Sequence, residues 1–215
     1  MGLPSGTLWS PVNIDTSRPG GFAEDAFRYK CTFFSWGNTD AHNPNSNNLF
    51  DYNWGSINDS EPWYENQIYG STPGAALTDD IPLTSDVARE ICGGSWRMPT
   101  QAEFQELITN CDFMQADGST VIDPAVTDKR VTVNGYRGIY LKSKINGNLL
   151  FFACCGGGTF NNWVNRGSVG RYLSTTYKDS KAYWTLTFYS EGVVSNSNVN
   201  RFLGCPIRPV MSSSA

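Results

Sequence analysis

The chain has few charged residues and lacks the charge pattern of a nucleic-acid-binding protein. Charged residues make up 17% of the 215 residues and the net charge is −4, whereas about a quarter is usual for a globular protein. No run of Lys and Arg occurs, so the positive surface that would counter a phosphate backbone is missing. We therefore expect no nucleic-acid partner, and a surface made largely of Asn, Ser, Thr, Gly and Tyr.

Long apolar runs are also missing. No stretch approaches the roughly 18 apolar residues that a membrane-spanning helix needs. Residues 1–6 lack the basic and apolar regions of a signal peptide. The sequence therefore predicts no direct insertion into a membrane.

Residues for metal binding or catalysis are scarce. His42 is the only histidine and no Cys-x-x-Cys pair occurs, which argues against a zinc site. The nearest match to a calcium-dependent lectin motif, Glu61-Pro62-Trp63, lacks the third oxygen ligand, although Asp79 and Asp80 could hold a structural calcium ion. A Cys–His nucleophile would need His42, in an Asn-rich loop, to reach one particular thiol. We expect no catalytic residue, no cofactor and no metal site.

The six cysteines are irregularly spaced in a chain of a size that needs no disulfide framework. Buried free thiols, which pack as small apolar side chains, are favoured over disulfides. The length fits a single domain spanning residues 1–215.

Residues 2–81 are rich in Gly, Pro, Asn and aromatics without helical periodicity, which indicates short strands and long ordered loops. Two helices of about ten residues are predicted in the middle of the chain. The first is capped by Ser85 or Thr84 and ends at Gly93-Gly94. The second begins with a capping box formed by Thr100 and Glu103.

After Pro124 the pattern changes to hairpins. Strands are predicted at Arg130–Val133, 138–145 and 148–155, joined by Asn-Gly turns at 134–135 and 146–147. The glycine run at 156–158 has neither the Lys-Ser/Thr nor the helix start of a phosphate-binding loop.

The stretch 159–205 is unusually polar, with 21 of its 47 residues Asn, Ser, Thr or Tyr. Strand alternation predicts that Trp184, Leu186 and Phe188 face inward and that Tyr183, Thr185, Thr187 and Tyr189 face outward. Tyr supplies rigid contact area, and Ser and Asn supply adaptable hydrogen bonds, as in antibody-like recognition surfaces. The composition alone fits a solvated polar sheet equally well. Alanine at Tyr177, Tyr183 and Tyr189 together is predicted to leave the fold intact.

Motifs at both ends and in the middle resemble one family. Residues 2–9 read GLPSGTLW, residues 94–104 read GSWRMPTQAEF, residues 172–176 read YLSTT, and residues 200–210 read NRFLGCPIRPV. They resemble the motifs GLPSGTLW, GWRLPT..E, YWSST and NRYxGFSVRPV of the Fibrobacter-type major paralogous domain of gut Bacteroidetes proteins. The same order and spacing are found over nearly the whole chain.

This resemblance implies an α+β, C-type-lectin-like fold with two helices, a small mostly antiparallel sheet and long ordered loops. It also implies kinship with the variable proteins of diversity-generating retroelements, in which surface positions are rewritten while the core is fixed. Departures from the family at Leu173, Cys205 and Pro206, beside agreement at Trp184, Leu186 and Phe188, fit that class.

We therefore expect a non-enzymatic protein of a phage virion tip or bacterial cell surface, binding a protein or glycan receptor on a target cell through a variable region at about 159–206. Alternatives are a non-diversified adhesin or lipoprotein module of the same family and, third, an enzyme resembling formylglycine-generating enzymes. The sequence gives no oligomeric state. The predicted ligand-binding residues are Asn162, Trp163, Asn165, Arg171, Leu173, Tyr177, Lys178, Asp179, Tyr183, Thr185, Thr187, Tyr189, Asn196, Asn198 and Leu203.

Overall fold

The structure is a computed structural model that describes residues 1–47, 49–51, 79–179, 182–201 and 203–212. Within these residues the protein is α+β, with two α-helices, several small antiparallel sheets and more strand than helix. The Glu61-Pro62-Trp63 sequence lies outside the described residues.

The first helix, α1, spans Val87–Cys92 and is shorter than predicted. The predicted caps at Thr84 and Ser85 are wrong, because residues Leu83–Ser85 form a short 3-10 helix and Asp86 is the N-cap. The Asp86 carboxylate accepts hydrogen bonds from the backbone N–H groups of Ala88 and Arg89 and, across the chain, of Met98. The helix ends at Gly93, as predicted, where φ is 69°.

The second helix, α2, spans Gln101–Asn110 and confirms the predicted capping box. The Thr100 hydroxyl accepts from the backbone N–H of Glu103, and the Glu103 carboxylate accepts from that of Thr100. This box is a local feature of four residues, so it can be recognised without any knowledge of the tertiary structure. Phe104 and Leu107 of α2 are fully buried.

The strands of the described residues range from two to nine residues in length, and all pairings between them are antiparallel. A further short 3-10 helix lies at Pro19–Gly21. The strands are β1 Leu8–Trp9, β2 Phe33–Phe34, β3 Cys111–Phe113, β4 Arg130–Val133, β5 Tyr136–Ser143, β6 Leu149–Ala153, β7 Gly157–Thr159, β8 Asn162–Val164, β9 Gly170–Tyr177, β10 Ala182–Tyr189, β11 Gly192–Asn200, β12 Cys205–Pro206 and β13 Val210–Met211.

The predicted strand pairs after Pro124 are confirmed, but the two-residue turn at 146–147 is wrong, because β5 ends at Ser143 and β6 begins at Leu149, which leaves a connection of five residues. Strand β5 pairs with β3, β4 and β6, and β4 joins β5 through the predicted Asn134-Gly135 turn. Both turn residues have positive φ, 51° and 82°, as a type I′ hairpin turn requires. Strand β6 is buried from Leu150 to Ala153, which fits its continuous apolar sequence.

Three of the sequence motifs meet at one place, although they are far apart in the chain. Strand β1 pairs with β13, and Arg97 forms a backbone bridge with Val210. The Arg97 guanidinium contacts both carboxylate oxygens of Glu103 at 2.6 and 2.8 Å, and the Thr7 hydroxyl donates to the same carboxylate at 2.8 Å. The motifs therefore form a frame that holds both ends of the described chain to α2.

Candidate functional site

Strand β10 is the centre of a three-stranded sheet, ordered β11-β10-β9, and it is buried on both of its faces. This is the main departure from the sequence prediction, which placed one face in solvent. On the first face Leu186 and Phe188 are fully buried, as predicted. They pack in the same core cluster as Phe104 and Leu107 of α2, and the ring of Tyr172 on β9 stacks 6.1 Å from that of Phe188.

Half of the second face is covered by other parts of the chain. We call this the closed half and define it as Leu173, Tyr183 and Thr185, which are all completely buried. Tyr183 stacks on Trp36, with ring centroids 5.8 Å apart and planes 6° from parallel. The prediction that these three residues face solvent is therefore wrong, and so is the premise that Tyr183 lies outside the core, on which the predicted stability of the triple alanine variant depended. Burial also raises the pKa of the Tyr183 hydroxyl well above its usual value.

Trp184 was predicted to be buried with Leu186 and Phe188, and it is instead half-exposed. The Lys178 ammonium lies 5.6 Å from the centre of its ring. A cation over an indole face is favourable in a partly exposed setting, so the ring is covered by a charged side chain and not by the apolar core.

The other half of the second face opens into a cleft of about 780 Å³. We call this the cleft half and define it as Arg171, Thr187 and Tyr189. Thr187 is almost completely buried on the floor, paired across the sheet with Arg171, while Arg171 and Tyr189 are half-buried. The cleft is lined by Thr159, Phe160, Val164, Asn165, Val169, Arg171, Thr187, Tyr189, Ser197, Asn198, Val199, Asn200 and Leu203.

One wall of the cleft is the β7–β8 hairpin. Gly158 and Gly204 exchange two backbone hydrogen bonds, of 2.7 and 2.9 Å, which hold this hairpin to the segment that follows β11. Gly156 starts the hairpin with φ of 72°, and a Cβ atom there would lie 2.1 Å from the carbonyl oxygen of Val164. The glycine run at 156–158 therefore allows close backbone packing.

Phe160 stands at the tip of this hairpin in an unusual conformation. It is 47% exposed, and its φ of 47° lies in the left-handed region. Phe160 and Asn161 form the two-residue turn between β7 and β8, and glycine is the usual residue at positive φ in such turns. A bulky residue there is strained, and strain of this kind clusters at functional sites. The turn thus presents an apolar ring at the rim of the cleft.

The polar groups of the cleft are mostly neutral. Amides of Asn165, Asn198 and Asn200 and hydroxyls of Thr187 and Ser197 line it, and Arg171 is the single charged side chain among the described lining residues. A concave surface of this volume with apolar and a few polar groups has the dimensions of a small-ligand site, typically about 300–1,000 Å³.

The structure brings six of the fifteen predicted ligand-binding residues together in the cleft. These are Asn165, Arg171, Thr187, Tyr189, Asn198 and Leu203. The remaining nine lie elsewhere. Leu173, Tyr183 and Thr185 form the closed half, Asn162 and Asn196 are exposed away from the lining, and Trp163, Tyr177, Lys178 and Asp179 are half-buried outside it.

Two of those outlying residues support the structure. Trp163 packs against Phe33 at 5.6 Å between ring centres and donates its indole N–H to the carbonyl of Cys155. Tyr177 lies beside Trp36 at 6.4 Å, with the Arg201 guanidinium 5.4 Å from the Tyr177 ring.

The predicted ligand-binding residues do not include seven of the lining residues, namely Thr159, Phe160, Val164, Val169, Ser197, Val199 and Asn200. All lie inside the predicted variable region. One feature of the sequence could have indicated the hairpin that carries Phe160. The pair Phe160-Asn161 lies between two short segments directly after the glycine run, and two residues between short strands are typical of a hairpin turn.

In the described part of the chain, no group of three or more His, Cys, Asp or Glu side chains is placed to hold a metal ion. No helix among these residues is long and apolar enough to cross a membrane. Comparisons with protein-family models, with curated proteins and with solved structures found no match.

Proposed function

We propose that this protein is a non-enzymatic binding protein that recognises a protein or glycan receptor on a target cell through the cleft beside β10. The observation that carries the proposal is the cleft itself. The cleft is lined by amides, hydroxyls, one arginine and the exposed, strained Phe160. These groups lie on four strands and on loops between strands, and the buried β9–β11 sheet forms the floor beneath them. A rigid scaffold with ligand groups on its loops and strand ends is the common arrangement of binding proteins.

We further propose that the fold is C-type-lectin-like and that the cleft is diversified by a retroelement. Support comes from the paired ends of the chain, the two helices and the frame in which three family motifs meet. On this proposal the exchangeable positions are the lining residues, such as Asn165, Tyr189 and Asn198. Positions of the closed half, such as Leu173 and Tyr183, are fixed by packing. Leu173, Cys205 and Pro206 are all buried, so their departures from the family motifs are not surface changes and do not support diversification. A phage virion tip or a bacterial cell surface is the proposed location.

The diversification part of the proposal has its own test at the level of DNA. Sequencing of the genomic locus is expected to reveal a near-repeat of the segment that encodes 159–206 beside a reverse transcriptase gene. The differences between the two copies should fall at adenines of the template and in codons of lining residues. A locus without such a repeat would favour a non-diversified adhesin of the same family, with binding unaffected.

The binding part is tested with labelled protein on an array of mucin and bacterial capsular glycans and on intact gut bacteria. The double variant Tyr189→Ala, Asn198→Ala should lose at least tenfold in apparent affinity for whichever surface binds. Asn196→Ala is the matched control, because Asn196 is exposed on the same strand as Asn198 but does not line the cleft. Equal losses in the control, or no saturable binding of the parent protein, would contradict the proposal.

A further inference from the structure

Arg171 is the charged group of the cleft, and it has no partner within the described chain. Its guanidinium makes no hydrogen bond or ion pair with any described residue, and no described lining residue is acidic. By contrast, two arginines outside the cleft form ion pairs with carboxylates. Arg28 pairs with Asp25 at 2.9 Å, and Arg97 pairs with Glu103 at 2.6 Å.

A half-buried arginine without a counter-ion favours an anionic ligand. The guanidinium is planar and always charged, and its parallel N–H groups match the two oxygens of a carboxylate. Partial withdrawal from water strengthens such a contact relative to one on an open surface. Because Arg171 lies beside Thr187 on the floor, a carboxylate bound there would sit at the base of the cleft.

The walls around Arg171 suit a sugar ring. Asn165, Asn198 and Ser197 offer both donors and acceptors, which sugar hydroxyl groups need. The exposed ring of Phe160 offers an apolar surface at the rim. Neutral walls with one cation at the base would select a ligand that carries one negative charge among many neutral hydroxyl groups.

We infer that Arg171 binds the carboxylate of an acidic sugar, such as a uronic or sialic acid, placed in the cleft as the terminal unit of a glycan. This inference rests on the proposed binding function and narrows its ligand class. An acidic peptide is the alternative source of a carboxylate, and it is one of the outcomes of the test.

The experiment compares oligosaccharide probes that end in glucuronic, galacturonic or sialic acid with matched probes whose carboxylate is reduced to a hydroxymethyl group. We expect at least one acidic probe to bind at least tenfold more tightly than its neutral match, with affinity that falls as salt is added. Arg171→Gln should remove this preference. Arg28→Gln, which removes an equal charge outside the cleft, should keep it.

Three results would overturn the inference. Neutral and acidic probes could bind equally in a manner sensitive to Tyr189→Ala, which would retain the proposed function but not the acidic ligand. An acidic peptide could bind through Arg171 while none of the sugars does. All carboxylated probes could fail while cell binding persists.

A second inference rests on an independent observation, a buried cluster around Cys155. The sulfur atoms of Cys31 and Cys155 are 3.9 Å apart, and both residues are almost completely buried. The Tyr172 hydroxyl lies 3.6 Å and the Asn13 amide nitrogen 3.7 Å from the Cys155 sulfur.

Arg208 places a positive charge in the same region. It is fully buried, donates to Asn13 and to the backbone carbonyls of Pro11 and Phe151, and has no carboxylate partner among the described residues. Burial opposes the thiolate form of Cys155, but hydrogen bonds from Cys31 and Tyr172 and the Arg208 charge lower its pKa on balance. Thiolate, not thiol, is the form that attacks a disulfide.

We propose that Cys31 and Cys155 are an oxidisable pair that forms a disulfide when the chain folds in the presence of a small disulfide such as oxidised glutathione. The Cys155 thiolate attacks one glutathione sulfur and releases a glutathione thiolate. The Cys31 thiol, whose pKa is raised by burial, then passes its proton to the released glutathione thiolate as its sulfur attacks the Cys155 sulfur and releases the second glutathione. The two cysteines lose two electrons and two protons, and one oxidised glutathione becomes two thiols.

The test is refolding in oxidised and reduced glutathione, alkylation of remaining thiols and peptide mapping by mass spectrometry. A Cys31–Cys155 linked peptide is expected, together with a higher melting temperature than that of the dithiol-treated protein, because the bond closes a long loop. Cys31→Ser should abolish the linked peptide, and Cys154→Ser, a buried neighbour, should retain it. Recovery of both thiols in alkylated form, or linkage of Cys154 instead, would overturn the proposal.

Discussion

The two halves of one face of the β9–β11 sheet have similar sequences but opposite surroundings. In the closed half, Tyr183 lies under Trp36 and beside Cys205. In the cleft half, Tyr189 lines the open cleft. Both tyrosines belong to the same alternating series of β10. The alternation of a strand fixes which face a side chain points to, but the segments packed on that face decide whether it is buried.

The largest effect on the free energy of unfolding is expected when Tyr183 and Tyr189 are each replaced by alanine. Tyr183→Ala should lower the free energy of unfolding by about 3–5 kcal/mol, because a fully buried aromatic ring is replaced by a cavity. Tyr189→Ala should cost less than about 1 kcal/mol, as for most partly exposed positions. Urea denaturation of the two variants measures the difference. Similar losses in both would show that the two halves are not distinct.

The comparison also explains which parts of the fold could be predicted from sequence. The capping box of α2 and the Asn-Gly turn between β4 and β5 are local, because neighbouring residues satisfy each other's backbone groups. The closed half is not local. Its cover comes from Trp36 and Ile207, which lie far from β9 in the chain, so no pattern within 159–205 reveals it.

The candidate site follows the same rule. The polar composition of 159–205 indicated the region that lines the cleft, and strand alternation indicated Thr187 and Tyr189 of the cleft half. Phe160 and Val169 were missed, because they reach the cleft only when the β7–β8 hairpin is held over the sheet by Gly158 and Gly204. That contact joins two glycines 46 positions apart, and no local pattern marks it.

A medium effect is expected from the frame that supports the closed half. The Arg97–Glu103 pair holds the segment whose Pro99 carbonyl accepts from the backbone N–H of Thr175 on β9. Glu103→Gln should lower the free energy of unfolding by about 2 kcal/mol, since it leaves a partly buried arginine without its charge partner. Ligand binding in the cleft half should be unchanged. Glu90→Gln, an exposed acid on α1, is the control and should change little.

The loss in free energy of unfolding caused by Glu103→Gln should also depend on pH. Burial raises the pKa of Glu103, but hydrogen bonds and charge from Arg97 lower it on balance below its usual 4.5. The folded state therefore binds fewer protons than the unfolded state, and the stabilisation is present above about pH 4.5 and lost as the pH falls through the folded pKa. Denaturation at a series of pH values should show the parent and Glu103→Gln converging in acid. A difference that stays constant would contradict the ion-pair explanation.

The smallest effect should be a gain in stability that reduces function. Phe160→Gly removes a side chain from a left-handed backbone position, φ 47°, and should raise the free energy of unfolding by about 0.5–1 kcal/mol after the greater freedom of glycine in the unfolded chain is included. The same change removes the aromatic rim, so ligand affinity should fall several-fold.

Phe160→Ala is the matched control, because it loses the ring but keeps a Cβ atom at positive φ. It should bind as weakly as Phe160→Gly without the gain in stability. If the two variants were equally stable in urea denaturation, the turn would not be strained, and the exposed ring would need no functional explanation.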